Sequence, residues 1–161
     1  MILEQMGDWV GAARVLGDSA KTFDGADDDV RSARAFARRA VAMAKAGAPD
    51  RAVRELRLAM DRAPDLDDPH PAALDVRILI GVVFREAGSR DKARQALGVA
   101  AEKARRHAAP DRAAEATLLA ARFHLEAMPV RGAERGEAMR DGREAAEAAI
   151  VLARGSGLVE V

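Results

Sequence analysis

The sequence predicts an all-α fold of antiparallel helix hairpins repeated about every forty residues. Three observations predict it. Gly7, Gly47 and Gly88 are spaced 40 and 41 residues apart. Each is followed at matching offsets by an alanine (Ala12, Ala52, Ala93), a leucine (Leu16, Leu56, Leu97) and a small residue (Ser19, Ala59, Ala100). The chain is also rich in Ala, Leu, Arg and Glu, which are good helix formers, and no run alternates as a strand would.

The pattern has a direct physical reading. Glycine ends the first helix of a hairpin, because a left-handed cap carries no Cβ penalty there. The alanine opens the buried face of the second helix, where a small side chain lets two helices approach closely. The leucine follows one turn later on the same face, and the next small residue a further turn on.

In chain order, units are expected over about 1–24, 25–66, 67–108 and 109–157 of a single repeat domain, 1–161. Residues 1–7 are too short for a full first helix, and the second helix is expected from Asp8 to Thr22. That leaves Leu3, Val10 and Leu16 short of partners, since a lone helix of this length is marginal. The expectation is a piece of a longer array; a native start at Met1 would need an unusual cap. Asp24 to Asp29 reads as a loop ending in an N-cap. It lacks the spacing and terminal glutamate of a calcium loop.

The next helix is expected over Val30 to Ala46. Ala33, Phe36, Ala37, Ala40, Met43 and Ala44 form its buried stripe, and Arg31, Arg34, Arg38 and Lys45 another face. Pro49 suits the first turn of its partner helix, which Pro64 stops. Pro64 to Pro71 is a proline-stiffened linker. Ala72 to Ala87 is the most apolar helix, expected at the centre, with Gly81 allowing close contact. Ser89 caps a helix over Arg90 to His107. Asp111 to Met128 is expected to turn Leu118, Leu119, Ala120, Phe123 and Ala127 inward. Gly132, Gly136 and Gly142 make 129–143 a longer or partly helical connection. Ala145, Ala149 and Leu152 resume the helix, Gly155-Ser156-Gly157 ends it, and Leu158 starts another.

These residues resemble the tetratricopeptide repeat (TPR). Gly7-Asp8-Trp9 with Ala12 and Leu16 is similar to the turn and second helix of such a unit. Gly47, Ala52, Leu56, Ala59 and Pro64 match the next. Ile80-Gly81 with Phe84, then Gly88, Ala93, Leu97 and Ala100, match a third, and Leu119-Ala120 with Phe123 a fourth first helix. The family usually repeats every 34 residues or so, and its frequent tyrosine is absent here. Longer units are similar to the TPR-like arrays of bacterial signalling ATPases and maltose-regulator-type transcription activators. The resemblance implies a right-handed α-solenoid that binds proteins through its first helices.

Composition narrows the function. Net charge is zero on 26 basic and 26 acidic residues, without the basic excess of a general nucleic-acid binder. Residues 31–63 are nevertheless a basic band with 9 basic and 3 acidic side chains, beside an acidic 1–30 with 2 and 7. Zero cysteine removes disulfides and thiolate sites and fits a cytoplasmic setting. No apolar run spans a membrane, and no signal peptide is evident. His70, His107 and His124 form no helical metal pair. Asp67, Asp68 and His70 could ligate a metal but sit in the proline-stiffened linker, where His70 reads better as a helix start or an exposed residue. The serines lie in no nucleophile elbow, and no glycine-rich phosphate loop exists. No catalytic residue, metal or cofactor is expected.

The expected function is therefore a non-catalytic interaction scaffold for a protein or peptide partner, or for another domain of its own protein. Its groove would be lined by Arg34, Arg38, Lys45, Asp75, Ile78, Val82 and Arg85. The chain has no asparagine, so the carboxylate clamp of chaperone-binding TPR domains is not expected. An acidic end with one apolar face suits the groove better. The alternative is a sensor or homo-oligomerisation module of a bacterial regulator. A third reading, an RNA-contacting array, predicts salt-dependent binding through the basic band.

Overall fold

A computed structural model describes residues 2–63, 71–126 and 133–155. Among these residues there are eight helices and no strand: α1 (Ile2–Gln5), α2 (Trp9–Asp24), α3 (Asp29–Lys45), α4 (Pro49–Arg62), α5 (Pro71–Glu86), α6 (Arg90–Arg106), α7 (Pro110–Glu126) and α8 (Ala133–Gly155). The chain is all-α, as the composition predicts. It forms two compact units, Met1–Ala93 and Arg94–Val161, so the boundary falls inside α6.

The repeated glycines do what the spacing requires. Gly7, Gly47 and Gly88 have φ of 75°, 81° and 75°. A Cβ at any of them would meet nothing within 4 Å, so glycine is there for its backbone conformation rather than for space. Each turn makes the same two hydrogen bonds. Gly47 N donates to Ala44 O at 3.0 Å and Ala48 N to Met43 O at 2.9 Å. Gly7 and Asp8, and Gly88 and Ser89, repeat that pair. This is the Schellman ending, which satisfies two orphan carbonyls of the closing helix. The same pair of bonds ends α2 and α6, with Asp27 (φ 53°) and Ala108 (φ 52°) at the left-handed position.

Helix starts follow their chemistry. Asp8 caps α2 by accepting from Gly11 N at 2.8 Å, and Asp28 caps α3 by accepting from Arg31 N at 3.0 Å. No side chain caps α4; Pro49 at its first turn fills a position whose N–H would be unpaired anyway. At its other end Ala63 is extended (φ −62°, ψ 122°), as a residue before proline prefers. The linker Pro64–His70 lies outside the described residues.

In the first unit α3 is the hub, packing against α2, α4 and α5. Its small residues make this possible: close helix pairs need about 8–10 Å between axes. Ala33, Phe36 and Ala37 pack with Ala20, Ala59 and Val76. Ala40 and Ala44 pack with Ala52, Leu56 and Val83, and Ala42 with Ala12, Ala13 and Leu16. The expected stripe of α3 is buried apart from half-buried Met43, and Ser32, Ala35 and Ala42 are buried too because α2 covers a second side. In α5, Leu74, Val76, Ile78, Gly81 and Val83 are buried, as its apolar sequence predicts.

The alanine and leucine of the hairpin signature are buried wherever it recurs. Ala12, Ala52 and Ala93 are each 0% exposed, and Leu16, Leu56 and Leu97 at most 4%. Ala59 and Ala100 are buried, whereas Ser19 in the first hairpin stays half-buried.

The second unit corrects one expectation and extends another. Leu118 is 56% exposed rather than inward, because Ala113, Ala114, Ala116, Thr117 and Ala121 form the buried face of α7. Leu119 and Ala120 are half-buried at its edge. The connection over 129–143, expected to be longer or partly helical, is helical from Ala133 onward, with Gly136 and Gly142 inside α8. An interior glycine costs a helix about 1 kcal/mol, which packing of α8 against α7 can offset. Residues 127–132 and 156–161, and the side chains of Phe123, Ala145 and Leu152, lie outside the described residues.

Candidate functional site

A cleft of about 280 Å³ opens between α2 and α3. Leu16, Ser19 and Phe23 line it from α2, and Arg31, Arg34, Ala35 and Arg38 from α3. Helical periodicity places them together: 16, 19 and 23 share one face of α2, and 31, 34, 35 and 38 one face of α3. The result is an apolar floor with a guanidinium rim. Arg31 also lies over the Phe23 ring, 5.9 Å from its centroid.

The rim arginines are ion-paired yet accessible. Arg34 Nη2 meets Asp75 Oδ2 of α5 at 2.8 Å, with half of the arginine side chain exposed. Arg38 Nη2 meets Glu4 Oε2 of α1 at 2.6 Å, and Arg31 Nε meets Asp28 Oδ2 at 3.4 Å. A guanidinium has five N–H donors, so a single-nitrogen pair leaves others for a second acceptor.

The expected groove residues therefore have separate surroundings. Arg34 and Asp75 are brought together as a pair, and Arg34 and Arg38 share the cleft. Lys45 is further along α3, with Nζ 4.3 Å from the Trp9 ring centroid. Ile78 is 4% exposed and belongs to the core, while Val82 is half-buried. Arg85 Nη1 is 3.8 Å from Glu86 Oε1. Sequence reading missed the α2 wall, Leu16, Ser19 and Phe23. Its signal was available in the spacing, since 16, 19 and 23 fall on one face of α2.

Two other charged contacts tie helices together. Arg39 Nη1 meets Glu55 Oε2 of α4 at 3.1 Å. Its guanidinium also lies against Gly17 of α2, where a Cβ would come within 3.0 Å of Cζ. Arg62 grips Asp24 with two nitrogens, at 2.6 and 3.2 Å. Hydrogen bonding to Arg62 holds the Asp24 carboxyl below its ordinary value of 3.8, and Asp24 in turn raises Arg62. The acidic loop thus caps and clamps helices.

No group of three or more potential metal ligands occurs among the described residues. No described helix is long and apolar enough to cross a membrane. What the cleft offers is apolar contact beside positive charge. No family model, curated protein or solved structure matches this chain.

Proposed function

We propose that the chain is a TPR-like α-solenoid, a non-catalytic scaffold that binds a peptide or helix of a protein partner. The observation that carries this reading is the packing order in the first unit. The first helices of successive hairpins, α3 and α5, lie against each other, and α4 packs on both. In a stack of that kind the first helices form a continuous inner surface. The partner contacts are assigned to Arg34, Arg38 and Lys45, with Asp75, Val82 and Arg85 along the next helix and Ile78 supporting them from the core. A cytoplasmic bacterial signalling protein is the setting this reading fits.

The test is quantitative capture on the immobilised chain, compared with an Arg34→Glu, Arg38→Glu variant of unchanged helicity. A partner enriched on the wild type and lost on the variant supports the assignment. Identical protein sets on both count against it.

A second reading is an oligomerisation or sensor module of a larger regulator. It is favoured by Ile150 and Val151 on α8, which are 48% and 68% exposed. Sedimentation against concentration decides, and a strict monomer removes it.

A further inference from the structure

The basic band of residues 31–63 divides once its partners are known. Arg31, Arg34, Arg38 and Arg39 of α3 each meet a carboxylate. Arg62 of α4 grips Asp24, and Lys45 lies over Trp9. That leaves Arg51, Arg54 and Arg57. All are exposed, and none forms an ion pair or a side-chain hydrogen bond among the described residues. The unpaired positive charge of the band is therefore gathered on α4.

Helical periodicity puts it on one face. Ala52, Leu56 and Ala59 are the buried side of α4, against α3 and α5. Arg51, Arg54, Arg57 and Leu58 lie on the far side, where Leu58 is 38% exposed. This face is not a seat left by a missing helix. α3 and α5, the neighbours of α4 on either side in the chain, pack on its other face.

The hairpin does not require these arginines. One period earlier, their positions in α2 hold Gly11, Arg14 and Gly17; one period later, in α6, they hold Lys92, Gln95 and Gly98. The alanines and leucine that build the fold repeat, and the guanidinium triplet does not. Like charges a turn apart on one helix repel, so the triplet opposes the stability of α4. An opposing acid from outside relieves that repulsion.

The ends of the strip set what fits it. Arg51 to Arg57 covers about 9 Å of helix at 1.5 Å per residue. Exposed Asp50 and Asp61 stand just beyond it at either end. An extended polyanion, whether an RNA strand or an acidic lipid surface, would carry its phosphates onto those carboxylates. A short run of two or three carboxylates would not. Leu58 adds an apolar contact that a phosphate cannot use. Carboxylates three or four residues apart on a helix are about 5–6 Å from one another, the spacing of the arginines they would meet.

Resting on the scaffold reading above but using a different surface, we propose that the outward face of α4 is a second docking site. It takes a short acidic helix of a protein partner, with two or three carboxylates on one face and an apolar residue against Leu58.

The probe is a labelled helical peptide with glutamates at i, i+3 and i+7 and a leucine at i+4. A control peptide has the same composition with those residues spread around the helix. At low salt, fluorescence polarisation with the whole chain should show saturable binding of the probe, about fivefold or more tighter than of the control. Protein carrying Arg51→Gln, Arg54→Gln and Arg57→Gln together should bind it about tenfold or more weaker, and Leu58→Ala about threefold weaker, at unchanged helicity. Arg34→Gln, Arg38→Gln protein should bind it within about twofold of the wild type, since charges away from the contact are screened.

Equal binding of probe and control, or undiminished binding to the triple variant or to Leu58→Ala, overturns the proposal. So does the absence of saturable binding at low salt. Loss of binding in the Arg34→Gln, Arg38→Gln protein places the peptide in the groove and overturns it too. Tighter binding of labelled polyuridine or of phosphatidylserine vesicles, lost in the triple variant, overturns the assignment to a protein helix. The groove is judged separately, by partner capture on the Arg34→Glu, Arg38→Glu chain, so each reading fails on its own experiment.

Discussion

The hairpin turns provide a reciprocal experiment. Five turns close with the same pair of Schellman bonds, three with glycine at the left-handed position and two with Asp27 or Ala108 there. A non-glycine residue in that conformation costs about 1–2 kcal/mol. Glycine gives back about 0.4–1 kcal/mol through the entropy of the unfolded chain. At Gly47 a Cβ meets nothing within 4 Å, so no clash adds to the backbone term. Gly47→Ala should therefore destabilise by about 1 kcal/mol. Ala108→Gly should stabilise the second unit by a similar amount, about 1 kcal/mol, because the same term is removed. Urea denaturation followed by circular dichroism reads both, with unchanged slopes required for the comparison. For a chain of this size the corresponding melting shifts are about 2–4 °C. Gly47→Ala without loss, or Ala108→Gly with loss, would refute the account of the turns. Asp27→Gly should gain less than Ala108→Gly, because aspartate tolerates the left-handed region better than alanine.

Three further outcomes follow from the packing. Ala52→Leu and Ala93→Leu each place a large side chain at a 0%-exposed helix contact; each should cost about 1–3 kcal/mol by overpacking, and unchanged melting in both would count against the hairpin assignment. Asp24 titrates below its ordinary value of 3.8 in the folded chain because of Arg62, so its contribution is present above that value and disappears as pH falls through the lower folded one. Thermal melts of Asp24→Asn should accordingly fall less steeply below pH 4 than those of the wild type; parallel curves would refute the linkage. Leu118→Lys should leave stability within about 0.5 kcal/mol, since Leu118 is 56% exposed; a large loss in urea denaturation would mean that it is a core residue after all.

Most of the first unit was legible in the sequence because its code is local. A left-handed glycine, a proline at a helix start and an aspartate cap each act within a few residues. Ala52, Leu56 and Ala59 announce a buried face by spacing alone. The second unit was harder for a physical reason. Where alanine supplies nearly the whole interface, as in α7, hydrophobicity does not distinguish its faces. The larger Leu118 drew the expectation, yet Ala113, Thr117 and Ala121 set the contact. Gly136 and Gly142 left the start of α8 open, since the helix penalty of glycine is small beside what packing can repay. The cleft was half legible. Arg34 and Arg38 stood out as a cationic row, but the α2 wall of Leu16, Ser19 and Phe23 shows only once α2 is packed against α3.

The arginines that mark the candidate site are also the bolts of the first unit. Arg34 joins α3 to α5, Arg38 joins it to α1, Arg39 joins it to α4, and Lys45 lies over Trp9 of α2. Every apolar cluster described for that unit also includes residues of α3. An acidic partner would thus compete with Asp75 and Glu4 for groups that brace the hub. Asp75 is 8% exposed, and removing one partner of a pair shielded from water costs more than opening a surface pair. The apolar contacts of Phe36 and the alanines do not depend on which carboxylate an arginine meets. The basic row can therefore act as structural bracing in the free chain and as a recognition surface in the bound one.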